Sequence, residues 1–226
     1  MTELTADTWE KAISEAWRAV RDRVEVRRDL DFAHEHTLQF HLAWELARLF
    51  GFSPNLQVRF EVRTVAPKPR SAIFTDLVVW TDPEFRIAIE VKAPDRSDEG
   101  SNSAMTHGRM AFYKDLDRLR YVVDAPSLKV RRGMFLAVAN ELGYVTRRQQ
   151  WKNLVYDTFD GTTVAAGQAI PATEGKNGCP YPLQMPEHSI SWRWECQRTG
   201  GTIVPAAGNR YYWLAPIPVF PKSTTA

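Results

Sequence analysis

A chain of 226 residues, 44% hydrophobic and 25% charged, has the composition of an ordinary globular protein and is long enough to bury a sizeable core in one domain. Its net charge of +2 gives no global argument for a nucleic-acid partner, so any such surface must come from local placement of Arg and Lys. Cys179 and Cys196 form neither a disulfide framework nor a metal-ligand spacing and read as free thiols in a reducing compartment. No apolar run is long enough to span a bilayer, and MTELTADTWEKA has acids where a signal peptide has an apolar core, so a cytoplasmic protein without membrane contact is expected.

Trp9, Ile13, Trp17, Val20 and Val24 recur at three- and four-residue steps and predict a packing helix over 7–26, with Asp7 and Glu10 spaced as a capping box. A second helix is predicted over 32–50, with Leu38, Leu42, Leu46 and Leu49 as its apolar stripe. On that wheel Glu35 falls about 25° from the centre of the stripe and Glu45 about 55° away. An acid in a first turn also complements the helix dipole, which is the plainer account of Glu35. His34 and His36 point about 160° apart and cannot share an ion. With His41, His107 and His188 they read as surface or packing residues, His34 or His36 at most supporting a site from behind. Leu56, Val58, Phe60 and Val62 alternate with Gln57, Arg59, Glu61 and Arg63, the pattern of a half-buried strand, and Pro67 and Pro69 then break the chain.

Phe74–Trp80 and Phe85–Val91 flank Thr81-Asp82-Pro83-Glu84 and predict a β-hairpin. With the turn centred on Pro83, Trp80 faces Arg86 and Asp76 faces Glu90, with Cβ atoms about 5 Å apart. Alternation puts Glu90 and Lys92 on one face and Ile87, Ile89 and Val91 on the other. Asp76, Glu90 and Lys92 thus share a patch, in which two close carboxylates repel unless a proton or a hard cation such as Mg²⁺ lies between them.

Residues 93–108 are polar and rich in Gly and Ser, and predict a loop. Met110–Val123 is predicted helical, with Phe112, Leu116, Leu119 and Val123 inward and Arg109, Lys114, Arg118 and Arg120 elsewhere. Gly133–Asn140 is continuously apolar, as in a strand buried on both faces, and a further helix is expected from Thr146 to about Phe159, with Arg147, Arg148 and Lys152 near its start. Beyond Asp160, dense in Gly and Pro, the strand candidates are Ser189–Cys196 and Arg210–Phe220. Their aromatic and basic residues, Trp192, Arg193, Trp194, Arg198, Tyr211, Tyr212 and Trp213, could stack bases, but strand packing is the favoured reading.

Asp76, thirteen intervening residues and then Glu90-Val91-Lys92 resembles the D…(D/E)-x-K signature of the PD-(D/E)XK nuclease superfamily, with Thr75 in place of the family's proline. Glu35–Leu42, E-x-x-L-Q-x-x-L, is similar to the helix that carries an extra acidic ligand in many members. The resemblance implies an α/β fold: a restriction-endonuclease-like core with a mixed central sheet in αβββαβα order over about 32–159, preceded by the helix over 7–26 and followed by a β-rich extension over about 160–226, all in one domain. It implies a Mg²⁺-dependent nuclease, Mn²⁺ substituting, that hydrolyses phosphodiester bonds in DNA, as an endonuclease. Asp76 and Glu90 would hold the ion, Val91 would add a carbonyl, Glu35 a further ligand, and Lys92 would act on the attacking water. A homodimer is left open. The alternative is an inactive nucleic-acid-binding or assembly module on the same fold; a third reading is an unrelated module whose hairpin mimics the motif.

Overall fold

The computed structural model describes residues 3–28, 34–64, 72–94, 102–147, 155–173 and 179–222, with side chains left out at 102–106 and 126. Trp9, Ile13, Trp17 and Val20 line the buried face of α1 (Trp9–Asp22). The expected capping box does not form: the N-cap is Thr8, which puts Lys11 where the box needs an acid, and Thr8 Oγ1 accepts from Thr5 N at 3.0 Å instead. Past Asp22 the backbone widens into a π-helical turn, Arg23–Arg27, ending at Arg28 in the left-handed region with φ 57°. That turn buries Glu25, which accepts from Arg210 N at 2.6 Å, Tyr211 N at 3.1 Å and Trp213 Nε1 at 2.7 Å. The second helix, α2 (Glu35–Leu49), buries Leu38, Leu42 and Leu46; Phe32, its expected start, lies outside the described residues.

Three strands follow as an antiparallel meander: β1 (Gln57–Thr64), β2 (Ile73–Asp82) and β3 (Phe85–Lys92). Leu77, Val78 and Val79 face Ile89, Ala88 and Ile87, the register of a turn centred on Pro83. An irregularity between Val79 and Asp82 then brings Asp82 opposite Phe85, so the expected Trp80–Arg86 pair becomes a cation–π contact at 5.0 Å. As the edge strand, β1 is shallower than its alternation implies: Val58 and Val62 are partly buried and Phe60 is exposed.

Helix α3 (Asn102–Asp124) starts earlier than expected, taking in the end of the predicted loop, and buries Phe112, Leu116, Leu119 and Val123. It crosses over to β4 (Val130–Ala139), which lies parallel to β3 and is buried on both faces from Gly133 through Ala139. The helix expected from Thr146 is not found in its described ends, since Thr146, Arg147 and residues 155–159 are non-helical; residues 148–154 lie outside the described residues.

The C-terminal part supplies two small sheets, β5 (Thr163–Val164) with β8 (Ile190–Ser191) and β6 (Ala169–Ile170) with β7 (Leu183–Gln184). It also extends the central sheet with β9 (Trp194–Thr199), β10 (Thr202–Pro205) and β11 (Tyr212–Leu214). The predicted strand over 210–220 divides at Ala215-Pro216: β11 pairs with the end of β4 and β12 (Ile217–Val219) with its start. The strand order is β1-β2-β3-β4-β11-β9-β10, with β12 also on β4. Trp192, Trp194, Tyr212 and Trp213 are all buried, in agreement with packing.

The result is an α/β molecule with a mixed sheet between helices and a β-rich C-terminal part. α1 and α2 cover Leu77, Val79, Ile87, Ile89, Val91, Met134 and Leu136 on one face. On the other, α3 and the C-terminal aromatics cover Ala88, Phe135 and Ala137. Among the described residues no helix is long and apolar enough to cross a membrane.

Candidate functional site

Because Leu77, Ile89 and Val91 point under α1 and α2, alternation turns Asp76, Glu90 and Lys92 to the α3 face. Beyond the Leu77–Ile89 pair, Asp76 Oδ2 takes the Val91 N–H at 2.7 Å. Glu90 is fully buried: Oε2 accepts from Arg118 Nη1 at 2.9 Å, while Oε1 has no hydrogen-bond partner. Arg118 Nη1 also donates to the Phe74 carbonyl at 2.9 Å, and Nη2 lies 3.1 Å from Asp115 Oδ1. Lys92 Nζ donates to Glu35 Oε1 at 3.2 Å and lies 3.2 Å from Asp115 Oδ2 without hydrogen-bond alignment. Glu35 Oε2 closes the network on the Ala93 N–H at 3.3 Å. An ionic chain, Glu90–Arg118–Asp115–Lys92–Glu35, therefore runs from α3 across β3 to the first turn of α2.

Burial dominates the electrostatics. It raises the Asp76 carboxyl pKa to about 6, against the Val91 hydrogen bond, with Asp115 adding repulsion. Glu90 is pushed well above the usual carboxylate range by burial, then by Asp115 and Asp76, with Arg118 opposing. Burial alone would lower the Lys92 pKa, but Asp115, Glu35 and Asp76 outweigh it and the net shift is upward. Arg118 is held charged in the same way, by Glu90, Asp115 and Asp76. Four carboxylates face two cations, an excess of two negative charges when all are ionised.

Every residue expected in the site (Glu35, Asp76, Glu90, Val91 and Lys92) comes together here, but not as a preformed ion cage. Among the described residues no three His, Cys, Asp or Glu side chains are arranged to hold a metal ion, because Lys92 and Arg118 stand between the acids. The donors still suit a hard divalent cation: they are carboxylate oxygens, their charge exceeds that of the cations, and Glu90 Oε1 is a buried acceptor left open. The fit is therefore one of donor chemistry.

Glu45 lies apart, paired with Arg48 at 2.7 Å. His34 is the N-cap of α2, His36 Nδ1 is 3.1 Å from Gln39 Oε1, His41 Nδ1 is 2.7 Å from Arg23 Nη1, and His188 Nε2 is 2.8 Å from the Pro218 carbonyl. None of these histidine contacts is with the ionic chain.

Two members of the site were not expected: Asp115 and Arg118. Asp115 is three residues after Phe112 and four before Leu119, so a carboxylate stands within the apolar stripe of α3 and is almost fully buried. That placement was the signal. No family model, curated protein or solved structure matches the chain.

Proposed function

We propose that the chain is a metal-dependent nuclease of the PD-(D/E)XK type, with a restriction-endonuclease-like core, that hydrolyses phosphodiester bonds in DNA. The observation that carries this reading is the burial of Asp76 and Glu90 beside the partly buried Lys92 on one hairpin face, with Glu90 Oε1 unpartnered. A buried acceptor without a partner costs free energy, and a hard cation is a partner its chemistry suits. Further support comes from the order α2-β1-β2-β3-α3-β4, which matches the first six elements of the implied αβββαβα core. Free thiols at Cys179 and Cys196 fit a cytoplasmic setting.

Asp76 and Glu90 would hold Mg²⁺ or Mn²⁺, with the Val91 carbonyl and Glu35 completing the set. Bound there, the ion would polarise the scissile phosphate and lower the pKa of a water. The protein's own contribution is clearest at Lys92. Its ammonium is held charged by three carboxylates, so it serves as a donor that orients the attacking water or offsets developing charge, and not as a general base. The Val91 N–H orients Asp76, and Arg118 fixes Glu90 and Asp115 at one spacing.

DNA incubated with Mg²⁺, Mn²⁺, Ca²⁺ or EDTA tests the proposal. Cleavage is expected with the first two alone and is lost in Asp76→Ala; equal cleavage in EDTA contradicts it. A second reading, a nucleic-acid-binding module without catalysis, draws on the way Lys92 and Arg118 already pair most of the carboxylates. It predicts DNA binding that Mg²⁺ never converts into cleavage.

A further inference from the structure

The β1–β2 register fixes which side chains share the face of Asp76. Arg59 pairs with Val78 and Arg63 with Phe74, and opposed residues point to the same side. Arg59, Arg63, Phe74 and Trp80 therefore stand on the face of Asp76, Glu90 and Lys92, while Val58 packs with the opposite core. Helix α3 packs on this face over β3 and β4, yet Arg59, Arg63 and Phe74 remain exposed. A lone exposed Phe would need no account. Phe74, however, is opposed to Arg63, stands two residues from Asp76, and has its carbonyl held by the guanidinium that holds Glu90. Along β2 it lies about 7 Å from Asp76, and Trp80 about 13 Å away on the other side. At Trp80 the guanidinium groups of Arg59 and Arg86 sit 5.5 and 5.0 Å from the indole, concentrating positive charge. Among the described residues Arg59 and Arg63 form no ion pair, and the one acid on this stretch of β1, Glu61, is exposed.

We infer that this strip, Arg63 and Phe74 on one side of the carboxylates and Arg59, Trp80 and Arg86 on the other, binds a single-stranded nucleic-acid segment across the site. An unpaired base stacks on Phe74, and the flanking phosphates meet Arg63 and Arg59. The inference rests on the nuclease reading and adds the state of the substrate beside the scissile bond. Intact duplex keeps its bases stacked within and offers Phe74 no base face. Charge complementarity favours this occupant over a protein: the ring is bordered by guanidinium groups and lies beside carboxylates that, on the nuclease reading, hold the cation that meets a phosphate.

The test is fluorescence anisotropy in Ca²⁺ with a short mixed-sequence oligonucleotide, single-stranded and as duplex, beside Mg²⁺-dependent cleavage and sedimentation of the protein. Wild type should prefer the single strand. Phe74→Ala should weaken single-strand binding about 5- to 150-fold and Phe74→Trp should retain it. Arg59→Ala and Arg63→Ala should each reduce the salt slope by about 0.7. Unchanged affinity in Phe74→Ala, or duplex bound as tightly as single strand, overturns the inference and, if cleavage persists, leaves the nuclease reading intact. Self-association that Phe74→Ala abolishes, with oligonucleotide binding unchanged, overturns it in favour of a protein interface. Absence of both binding and cleavage removes both.

Discussion

Lys92 joins three elements through one ammonium, with Glu35 of α2 and Asp115 of α3 each 3.2 Å away. If it acts on water or on the transition state, Lys92→Ala should lose most of the single-turnover cleavage rate while DNA affinity in Ca²⁺ stays within a few-fold of wild type. Weaker binding with turnover retained would make it a phosphate anchor. The two acids of α2 should separate in the same assay. Glu35→Gln should lower activity, whereas Glu45→Gln, whose partner is Arg48, should leave cleavage unchanged and affect stability at most; the reverse order would place the site on the wrong side of the helix. Asp76 makes a prediction about pH in metal-free protein. Its carboxyl pKa is raised to about 6, so between pH about 4 and 6 the folded state keeps a proton that the unfolded state has released. Stability therefore falls as pH rises through that window, with Glu90 acting in the same direction. Asp76→Asn should flatten this decline and be more stable than wild type near pH 7 by roughly 2–3 kcal/mol. Urea melts in EDTA at stepped pH would show it, and an undiminished slope in the variant would mean that Asp76 does not carry the shift.

Among the elements, the hairpin was the most legible in the sequence, whereas the partners of α3 were not legible. Val and Ile alternation around Asp82-Pro83 specifies the faces of β2 and β3, so the Leu77–Ile89 register and the shared side of Asp76, Glu90 and Lys92 could be read in advance. The slip beyond Val79, which brings Asp82 opposite Phe85, could not. For α3, periodicity found the apolar stripe but gave no reason to separate Arg118 from its neighbours. Its partner Glu90 is 28 positions away, on a strand whose distance from the helix only the fold decides. The polar run before Met110 hid the first turns of α3 because no apolar face marks them. Arg118→Met removes a guanidinium that clamps α3 to the hairpin and strands a fully buried Glu90, and should cost about 3–5 kcal/mol at neutral pH. Denaturant unfolding measures this, and a loss below about 1 kcal/mol, the scale of a surface pair, would show that the clamp is not needed.

At the scale of the whole molecule, the β3–α3–β4 crossover gives the central sheet its one parallel pair among the described residues and places Glu90 and Lys92 toward the carboxyl end of β3, where open α/β sheets commonly bind ligands. The N-terminal helix and C-terminal strands close around this centre: Glu25 ties them together, and β11 and β12 occupy the edge of β4 that β3 leaves free. That closure was not legible, because a Pro at 216 splits one apolar run into two strands whose common partner lies far back in the chain. The central claim is that the anionic cluster on the hairpin binds a divalent cation for catalysis. Calorimetric titration of Mn²⁺ into wild type and Asp76→Ala tests it most directly: saturable binding is predicted in the wild type and its loss in a variant that keeps the wild-type circular dichroism spectrum. Equal Mn²⁺ affinity in the two proteins, or no saturable binding to wild type, would contradict it.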